Sequence, residues 1–458
     1  MPAWRDGRAH QMYEQIFQRV FFPFYEGVIK RRNTHVYLAE YERSQWLPPA
    51  DLEALRLAKL NRLLAHCWDN VPFLASHWRA NGLEPQPLTR IGDFAHYPTI
   101  DKSLIADNFD AMRARNFRGR RLAKTTGGST GDPLKFEYSE ESYARRTAVM
   151  WRGYRWAHAD LGRRTAYVWG VGSPGPGLQG LKDRLYHAAF NRLLLNSFTM
   201  SDSNLHEYVA SLNEFRPRII VGYVAPLVMI AKWIVEHGAA VHKPLSVISG
   251  AEALLAPDRE VIERAFGAPV FNTYGCREFM LLAAECPEHN GLHVSADHLI
   301  VETVGARGQP LQGESGAVCV TDLHNYAMPF VRYLNGDQAT FGTAGCACGR
   351  SLPLLSSVDG RVLDIIVTPE GGRVPGEYFV YAMLGFPEVR RYQVVQNAPD
   401  EVEMRVVPRS PMTQAERERL RAKIAERMGS SVVRIVEMDE IPLTPSGKRR
   451  VTISNIRQ

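Results

Sequence analysis

The chain has 458 residues, of which 45% are hydrophobic and 23% charged, so it is long enough to bury a sizeable core in about three folding units. The net charge of +6 is only mildly basic at this length and does not by itself indicate a nucleic-acid partner, and we expect none. Six cysteines in so long a chain exclude a secreted disulfide framework and predict a reducing, cytoplasmic compartment.

The N-terminal stretch does not have the pattern of a secretory signal, because residues 1–10 are polar and no apolar run with a small-residue cleavage site follows. The longest apolar run, residues 219–231, is too short for a membrane span, which needs about 20 residues. Residues 20–25 are aromatic and apolar and are followed by Lys30, Arg31 and Arg32. That pattern fits contact with a membrane surface or, more commonly, a docked N-terminal helix.

The predicted elements begin with a helical region over residues 1–100, in which residues 52–68 carry apolar side chains at helical spacing. From about residue 120 the pattern alternates. Strands at residues 218–223, 245–248 and 269–273 are separated by helices that begin near Pro226 and Pro257. Short loops between these elements predict parallel βαβ units, in which ligands bind beyond the carboxyl ends of the strands.

The character of the sequence changes again after Gly360. Strands are expected at residues 362–367, 391–396, 402–407 and 432–437, with helices at residues 377–384 and 413–428. The predicted fold class is therefore α/β: a large N-terminal domain with parallel or mixed sheets flanked by helices, plus a small, mobile C-terminal α+β domain. The predicted boundaries are 1–100 for the helical region of the large domain, 101–360 for its core, and 361–458 for the small lid domain.

A loop rich in glycine and hydroxyl side chains, residues 124–133, is the sharpest local signal. Glycines interleaved with hydroxyls expose backbone N–H groups that can wrap phosphate oxygens, and glycine tolerates the backbone angles that such a nest requires. The spacing differs from that of the GxxxxGK[ST] loop. The alternative is an ordinary Gly/Ser/Thr turn.

Further motifs follow in chain order. Tyr274 and Glu278 come after a predicted strand, where an aromatic ring can cover a base and a carboxylate can hold a metal. Asp337 follows a turn and suits ribose hydroxyls. Residues 360–364 lie at the change in composition, and Lys448 stands on a Gly/Pro-rich loop that favours a lysine aimed at a ligand over a solvated charge.

This ordered set resembles the phenylacetate–CoA ligase family of the adenylate-forming enzymes, and the resemblance covers nearly the whole chain, including residues 70–73 and 98–102. Three motifs depart from the common family pattern: Asp132 replaces a lysine, Leu334 and Asn335 replace an Arg-Thr pair, and residues 368–373 replace an Arg-Gly turn on the surface that faces the thiol acceptor. In these respects the chain is similar to the capsular-polysaccharide-associated branch of the family.

The resemblance implies a role for each matching position. A flexible loop that holds the phosphates of ATP would be formed by Thr125, Thr126, Gly127, Gly128, Ser129, Thr130 and Gly131. The other nucleotide-binding positions face the adenine, the ribose or the hinge of the small domain, and they are Gly250, Ala251, Glu252, Tyr274, Gly275, Asp337, Arg361 and Asp364. The implied catalytic residues are Glu278, which helps to hold Mg²⁺, and Lys448, which reaches the carboxylate and the α-phosphate.

Cysteines and histidines cluster in residues 286–298 and 346–348, and thiolate and imidazole suit tetrahedral Zn²⁺. The pattern is similar to a zinc-binding insertion in some members of the resembled family. The preferred ligands are Cys286, His293, Cys346 and Cys348, with His289 or His298 as alternatives to His293. Such a closed shell predicts a structural site. The alternative is a buried loop with reduced cysteines and surface histidines.

The predicted function is an ATP-dependent, AMP-forming carboxylate ligase, which forms an acyl-adenylate and then a thioester with CoA. The expected partners are ATP, a carboxylic acid and CoA, and the expected cofactors are Mg²⁺ and Zn²⁺. Two alternatives stay open: transfer to a hydroxyl or amine acceptor in polysaccharide or natural-product synthesis, and a non-catalytic nucleotide-binding scaffold. The sequence identifies neither the acid nor the oligomeric state, for which a symmetric homodimer is the commonest outcome.

Overall fold

In the computed structural model, the described residues are 11–126, 134–170, 178–252, 254–358, 366–374, 376–441 and 451–456. Contacts divide the chain into two compact units. The first comprises Met1–Lys124 and Phe136–Arg361, and the second comprises Thr125–Lys135 and Val362–Gln458.

Helices open the first unit. α1 (residues 11–16) and α2 (Phe22–Phe24) are joined by π turns at Phe17–Phe21 and continue into a second set of π turns at Tyr25–Ile29, so residues 11–29 form one N-terminal helix. Four α-helices follow: α3 (Thr34–Ser44), α4 (Pro49–Asn70), α5 (Pro72–Ala80) and α6 (Lys102–Asp107). Pro49 and Pro72 begin α4 and α5, where the N–H that proline lacks would have no helical partner. The helix predicted over residues 52–68 is confirmed by α4.

The rest of the first unit alternates strands and helices. The strands β1 (Arg121–Thr125) and β2 (Lys135–Ser139) form a separate two-stranded sheet, and their residues Thr125 and Lys135 are counted in the second unit. The other strands of the first unit are β3 (Thr165–Trp169), β4 (Arg192–Asn196), β5 (Ile219–Tyr223), β6 (Ser246–Gly250), β7 (Val270–Cys276), β8 (Met280–Glu285), β9 (Leu292–Val294), β10 (Leu299–Val304), β11 (Ser315–Asp322), β12 (Tyr333–Phe341) and β13 (Leu354–Val358). Its helices are α7 (Glu140–Trp156), α8 (Leu178–Ala189), α9 (Leu205–Phe215), α10 (Val224–His237) and α11 (Ala256–Phe266).

Among the described residues, one eleven-stranded mixed sheet runs in the order β10-β11-β12-β13-β9-β8-β7-β6-β5-β3-β4. The five strands β4, β3, β5, β6 and β7 are parallel, and every residue of β5 and β6 is buried, as expected for strands covered by helices on both faces. The βαβ units predicted from β5 to β7 are confirmed. Antiparallel pairing then continues the sheet from β7 outward.

The second unit is a small α+β domain. It contains β14 (Ile366–Val367), β15 (Arg373–Val374), α12 (Gly376–Ala382), β16 (Val389–Ala398), β17 (Glu401–Pro408), α13 (Gln414–Ala425), β18 (Val432–Glu437) and β19 (Thr452–Ser454). In its described part, a four-stranded sheet has the order β18-β17-β16-β19. The sequence did not predict β19, because a three-residue strand is too short to have a clear periodicity. A capping box between Thr413 and Glu416 fixes the start of α13.

The predicted α/β fold class is confirmed in both of its parts: a mixed sheet flanked by helices, and a smaller C-terminal domain. None of the helices in the described residues combines the length and apolar character needed to cross a bilayer. All six cysteines fall within the described residues, and all six are free thiols.

Candidate nucleotide site and metal cluster

The loop after β6 lies at the carboxyl edge of the parallel strands, as predicted. Gly250 ends β6 so close to β7 that a Cβ there would stand 2.8 Å from Thr273 Oγ1, which donates to the Ser249 carbonyl at 2.7 Å. Ala251 follows, exposed and in the left-handed region with φ of 67°, a conformation that L-residues rarely adopt. Backbone strain of this kind clusters at ligand-binding sites.

Glu252 accepts a hydrogen bond from the start of α10, which the sequence did not predict. Its Oε2 accepts a hydrogen bond of 2.6 Å from the backbone N–H of Ala225, in the first turn of α10. A carboxylate at this position satisfies a free N–H of the helix and meets the positive end of its dipole. Glu252 therefore fixes the loop after β6 to the beginning of α10.

A buried hydrogen-bond network joins β7 to β12. The hydroxyl of Tyr274 donates to Asp337 Oδ2 at 2.8 Å, and Asn335 Nδ2 donates at 2.8 Å both to that carboxylate and to the Tyr274 hydroxyl. Burial, reinforced by the Asp337 carboxylate, raises the pKa of Tyr274 well above its usual value. Tyr274 therefore remains a neutral donor throughout the physiological pH range. Its ring is buried, with 8% of the residue exposed.

Glu278 is held by a second set of contacts at the same edge. Its Oε1 accepts a hydrogen bond of 3.1 Å from the Tyr333 hydroxyl, and its backbone carbonyl accepts one from Arg146 Nη1. Arg146 is itself buried, pairs with Asp322 at 2.6 Å, and packs with its guanidinium carbon 4.7 Å from the centre of the Tyr138 ring. These contacts position the Glu278 carboxylate where β7 turns into β8.

The turn between β7 and β8 depends on Gly275. A Cβ at this position would lie 2.1 Å from the backbone oxygen of Met280, so the backbone at Gly275 or at Met280 would have to move. Met280 adopts φ of 62°, so the return strand also begins in a left-handed conformation. The close approach brings Tyr274 and Glu278, at the two ends of the turn, to the same edge of the sheet.

The described part of the predicted phosphate loop is its base. The backbone N–H of Thr126 donates to the carbonyl of Leu134, and the N–H of Leu134 donates to Thr126 Oγ1, both at 2.9 Å. Thr125 ends β1 just before this closure. Gly127, Gly128, Ser129, Thr130 and Gly131 lie outside the described residues, as do Arg361, Asp364 and Lys448.

The four preferred metal ligands meet at one point. The ligand atoms of Cys286, His293, Cys346 and Cys348 all lie within 4.8 Å of one another. The Cys286 and Cys346 sulfurs are 3.6 Å apart, and Cys348 Sγ is 3.2 Å from His293 Nε2. A tetrahedral zinc ion with Zn–S bonds of about 2.3 Å would need ligand separations of about 3.8 Å, so the cluster fits the ion.

The orientation of His293 also suits a metal ligand. Its Nδ1 lies 3.0 Å from the Leu352 carbonyl, a contact that requires the proton on Nδ1 and leaves the Nε2 lone pair directed at the cysteines. Burial lowers the pKa of His293, which favours the neutral, metal-binding form. The two alternative histidines point elsewhere: His289 Nδ1 contacts Glu285 at 3.1 Å, and His298 Nδ1 contacts the Tyr41 hydroxyl at 2.9 Å.

Comparison with known proteins gives one family model and several relatives. Residues 366–455 match the model of the CapK C-terminal domain. Phenylacetate-coenzyme A ligase of Thermus thermophilus is 26% identical over 439 residues, which cover 88% of this chain and 96% of the relative. Protein CapK of Staphylococcus aureus is 24% identical and covers 94% of both chains. The resemblance to the phenylacetate–CoA ligase family is thereby confirmed.

Solved structures agree with this family on the fold. A 2-hydroxyisobutyryl-CoA ligase in complex with its adenylate and CoA, in the thioesterification state, superposes with a TM-score of 0.63 at 19% identity, over 90% of this chain and 92% of the other. The same enzyme in the postadenylation state gives a TM-score of 0.60 at 18% identity, with the same coverage. The large mixed sheet and the smaller C-terminal domain are therefore the fold of an adenylate-forming ligase.

Among the positions that the family pattern assigns, the structure brings together Tyr274, Glu278 and Asp337. The residues that hold them were not predicted from the sequence, namely Tyr333, Asn335 and Arg146. Tyr333, Asn335 and Asp337 occupy alternate, buried positions of β12. The two-residue period of a strand, counted back from Asp337, would therefore have identified Asn335 and Tyr333. No local signal identifies Arg146, because its partners Asp322 and Glu278 are distant in the sequence.

Proposed function

We propose that the chain is an AMP-forming ligase, which activates a carboxylic acid with ATP as an acyl-adenylate and then transfers the acyl group to the thiol of CoA. The relatives named as phenylacetate-coenzyme A ligases support this reaction class. The observation that carries the proposal is the pair of buried carboxylates, Asp337 and Glu278, each held by a tyrosine hydroxyl at the carboxyl edge of the sheet. Buried carboxylates at the edge of a sheet where ligands bind are candidates for a functional site.

The hydrogen bonds support a different ligand for each of the two carboxylates. Asp337 accepts from Tyr274 and Asn335 through Oδ2, and its carboxylate would bind the hydroxyls of a ribose. Glu278 accepts from Tyr333 through Oε1, and its carboxylate would bind a cation. When bound there, Mg²⁺ neutralises charge that develops on the phosphates. Exposed Ala251, with the loop around it fixed by Glu252, would border the base.

The phosphate loop and the mobile lid complete the proposal. Gly127 to Gly131 would wrap the phosphates of ATP, and Thr126 closes the base of that loop. Lys448 would neutralise the charge that builds up when the carboxylate attacks the α-phosphate. Asp364 would be the hinge on which the small domain rotates between the two half-reactions. These roles rest on the family pattern alone.

We further propose that the cluster of Cys286, His293, Cys346 and Cys348 holds a structural zinc ion. Three thiolates and one imidazole close a tetrahedral shell, so no position is left for a substrate. When bound, zinc would cross-link the segment between β8 and β9 to the segment between β12 and β13. Free thiols at all six cysteines agree with a reducing compartment such as the cytoplasm.

The test is ATP–pyrophosphate exchange over a panel of aryl, alkyl and hydroxy acids, followed by AMP release with and without CoA. We expect exchange with one class of acid and AMP release that depends on CoA. Exchange without CoA-dependent release of AMP would redirect the second step to a hydroxyl or amine acceptor. Nucleotide binding without exchange for any acid would overturn the ligase and favour a scaffold.

Two variants sharpen this test. Lys448→Ala is expected to abolish exchange while ATP binding, measured by calorimetry, is largely kept. The matched control is Lys423→Ala, which removes a lysine of the same domain that pairs with Glu426 on the surface of α13. Equal exchange by wild type and Lys448→Ala would show that this lysine takes no part in adenylation.

A further inference from the structure

The N-terminal helix presents an apolar stripe to solvent. Its members are 52% to 62% exposed and recur every four residues: Met12, Ile16, Val20, Phe24 and Val28. In a regular α-helix with 3.6 residues per turn, such a repeat would drift around the axis. The two sets of π turns hold more residues per turn and keep the stripe on one face.

The opposite face of this helix is fixed to the first unit. Phe17 and Phe22 are 2% and 3% exposed, and the Phe17 ring lies 5.1 Å from that of Phe190, which follows α8. Tyr13 donates from its hydroxyl to the carbonyl of Ala189 at 2.5 Å. The helix is therefore docked, as the commoner interpretation of the sequence predicted, and its outward stripe has a defined orientation.

Helix α8 enlarges this surface. The Tyr25 ring of the N-terminal helix lies 6.1 Å from the Tyr186 ring of α8, and Leu181 and Leu185 are 49% and 61% exposed. We define the N-terminal face as the stripe together with Leu181 and Leu185. A group of exposed apolar side chains commonly marks an interaction surface.

The charges around the N-terminal face have one predominant sign. The exposed charged side chains of both helices and of the turn that follows the first are all basic: Arg19, Lys30, Arg31, Lys182 and Arg184. Asp183, the acidic residue of α8, is half-buried. Both acidic residues of the N-terminal helix are turned inward. Glu14 pairs with Arg163 at 2.9 Å, and Glu26 accepts from Thr34 at 2.5 Å. The face therefore combines apolar side chains with a basic rim.

We propose that the N-terminal face binds the surface of a bilayer that contains anionic lipids. A helix that lies in the interfacial plane inserts an apolar stripe between the acyl chains and places Lys and Arg at the headgroups. Each cation near such a surface contributes to binding, so the charge pattern selects anionic over zwitterionic lipid. Association with a second copy of the chain is disfavoured, because a symmetric contact would bring the two basic rims together.

The experiment is co-sedimentation of the full chain with vesicles of phosphatidylcholine alone or mixed with phosphatidylglycerol. Binding is expected to the mixed vesicles and to weaken as salt is raised, since screening shortens the reach of the charges. Val20→Gln with Phe24→Gln is expected to lower the partition coefficient about 10-fold, because two side chains of the stripe no longer insert. Lys30→Gln with Arg31→Gln is expected to lower it to a similar extent.

Matched controls distinguish loss of vesicle binding at the N-terminal face from the effects of misfolding or of a lower total charge. Val432→Gln changes a 58% exposed valine of the second unit, and Arg390→Gln with Arg421→Gln removes two exposed cations there. Both controls should bind vesicles like the wild type. Equal binding to both kinds of vesicle, or to none, overturns the proposal. So does a dimer in sedimentation velocity that Val20→Gln with Phe24→Gln dissociates, because that result assigns the face to a second copy.

Discussion

At the scale of single residues, the candidate site rests on side chains that hold other side chains. Tyr333 and Asn335 lie on β12 together with Asp337. Tyr333 donates a hydrogen bond to Glu278, just after β7, and Asn335 donates one to Tyr274 of β7. A hydrogen bond to a charged group is worth about 1.5–3 kcal/mol, which is enough to fix a carboxylate in one orientation. The geometry of the two carboxylates therefore depends on neutral residues that leave no charge signature in the sequence.

Tyr333→Phe tests this dependence. The variant keeps the buried ring but removes the donor to Glu278 Oε1, so the carboxylate is free to rotate. We expect the rate of ATP–pyrophosphate exchange to fall about 10-fold or more. Tyr13→Phe, which removes a hydroxyl hydrogen bond from the N-terminal helix, serves as control and should exchange like the wild type. An unchanged rate for Tyr333→Phe would remove Tyr333 from the site.

Gly275→Ala tests the close approach between β7 and β8. The added Cβ would meet the Met280 oxygen at 2.1 Å, and because that atom belongs to the backbone the turn itself must move. We expect the free energy of unfolding in urea to fall by about 2 kcal/mol or more. Gly92→Ala has no atom within 4 Å of its added Cβ and should change stability by less than about 0.5 kcal/mol. Equal stability of both variants would contradict the close packing of this turn.

At the scale of elements, the metal cluster connects segments that are far apart in sequence. Cys286 follows β8, His293 lies in β9, and Cys346 and Cys348 precede β13. Strand β9 also pairs with β13, with His293 opposite Leu354. The short strands β9 and β13 share few hydrogen bonds, so an ion at this point would contribute much of the stability of this part of the sheet.

Removal of zinc is therefore expected to destabilise the protein. Elemental analysis should find about one zinc per chain, and chelation should lower the melting temperature by about 5 °C or more. Cys346→Ser should lose the metal and melt at the same lower temperature. His289→Ala, a change to the neighbouring histidine that contacts Glu285, should keep it. Purified protein without zinc would leave the cluster as reduced thiols.

At the scale of the whole first unit, a buried polar cluster joins the N-terminal helices to the central sheet. The Asp297 carboxylate pairs with Arg152 of α7 at 2.6 Å and accepts from Ser44 of α3 at 2.5 Å. His298 is fully buried, and its ring stacks 5.2 Å from that of His324. The helical region of residues 1–100 is therefore part of the first unit.

This cluster predicts sensitivity to acid. Burial, reinforced by nearby cationic side chains, lowers the pKa of His298 and His324 well below 6.5, so both are neutral in the folded protein. The unfolded chain takes up these two protons as the pH falls through about 6.5, which favours unfolding. Stability should thus be lost between about pH 7.5 and 5.5, by about 2–3 kcal/mol for the pair.

Urea unfolding at these two pH values checks this prediction. His324→Gln should lose about 1.4 kcal/mol less stability between them than the wild type, because one proton fewer is taken up on unfolding. His206→Gln, a change to an exposed histidine, should keep the full loss. The same pH dependence in all three proteins would assign the loss of stability to other groups.

The sequence by itself determined the fold class, the βαβ units from β5 to β7, and the resemblance to the phenylacetate–CoA ligase family. These depend on local periodicity and on motifs whose residues are close in the chain, as in Tyr274-Gly275 followed by Glu278. It also predicted that Cys286, Cys346 and Cys348 group with a nearby histidine, because thiol and imidazole have few other reasons to occur together at such spacing.

Only the tertiary structure decided which side chains hold those motifs in place. Arg146 reaches Glu278 and Asp322, and Tyr274 reaches Asp337, across more than sixty residues of chain. It also decided that His293, not His289 or His298, faces the cysteines, and that the aromatic N-terminal segment is docked on one side and exposed on the other. Burial and partner choice depend on how distant elements pack, and the pattern of one sequence records each element separately.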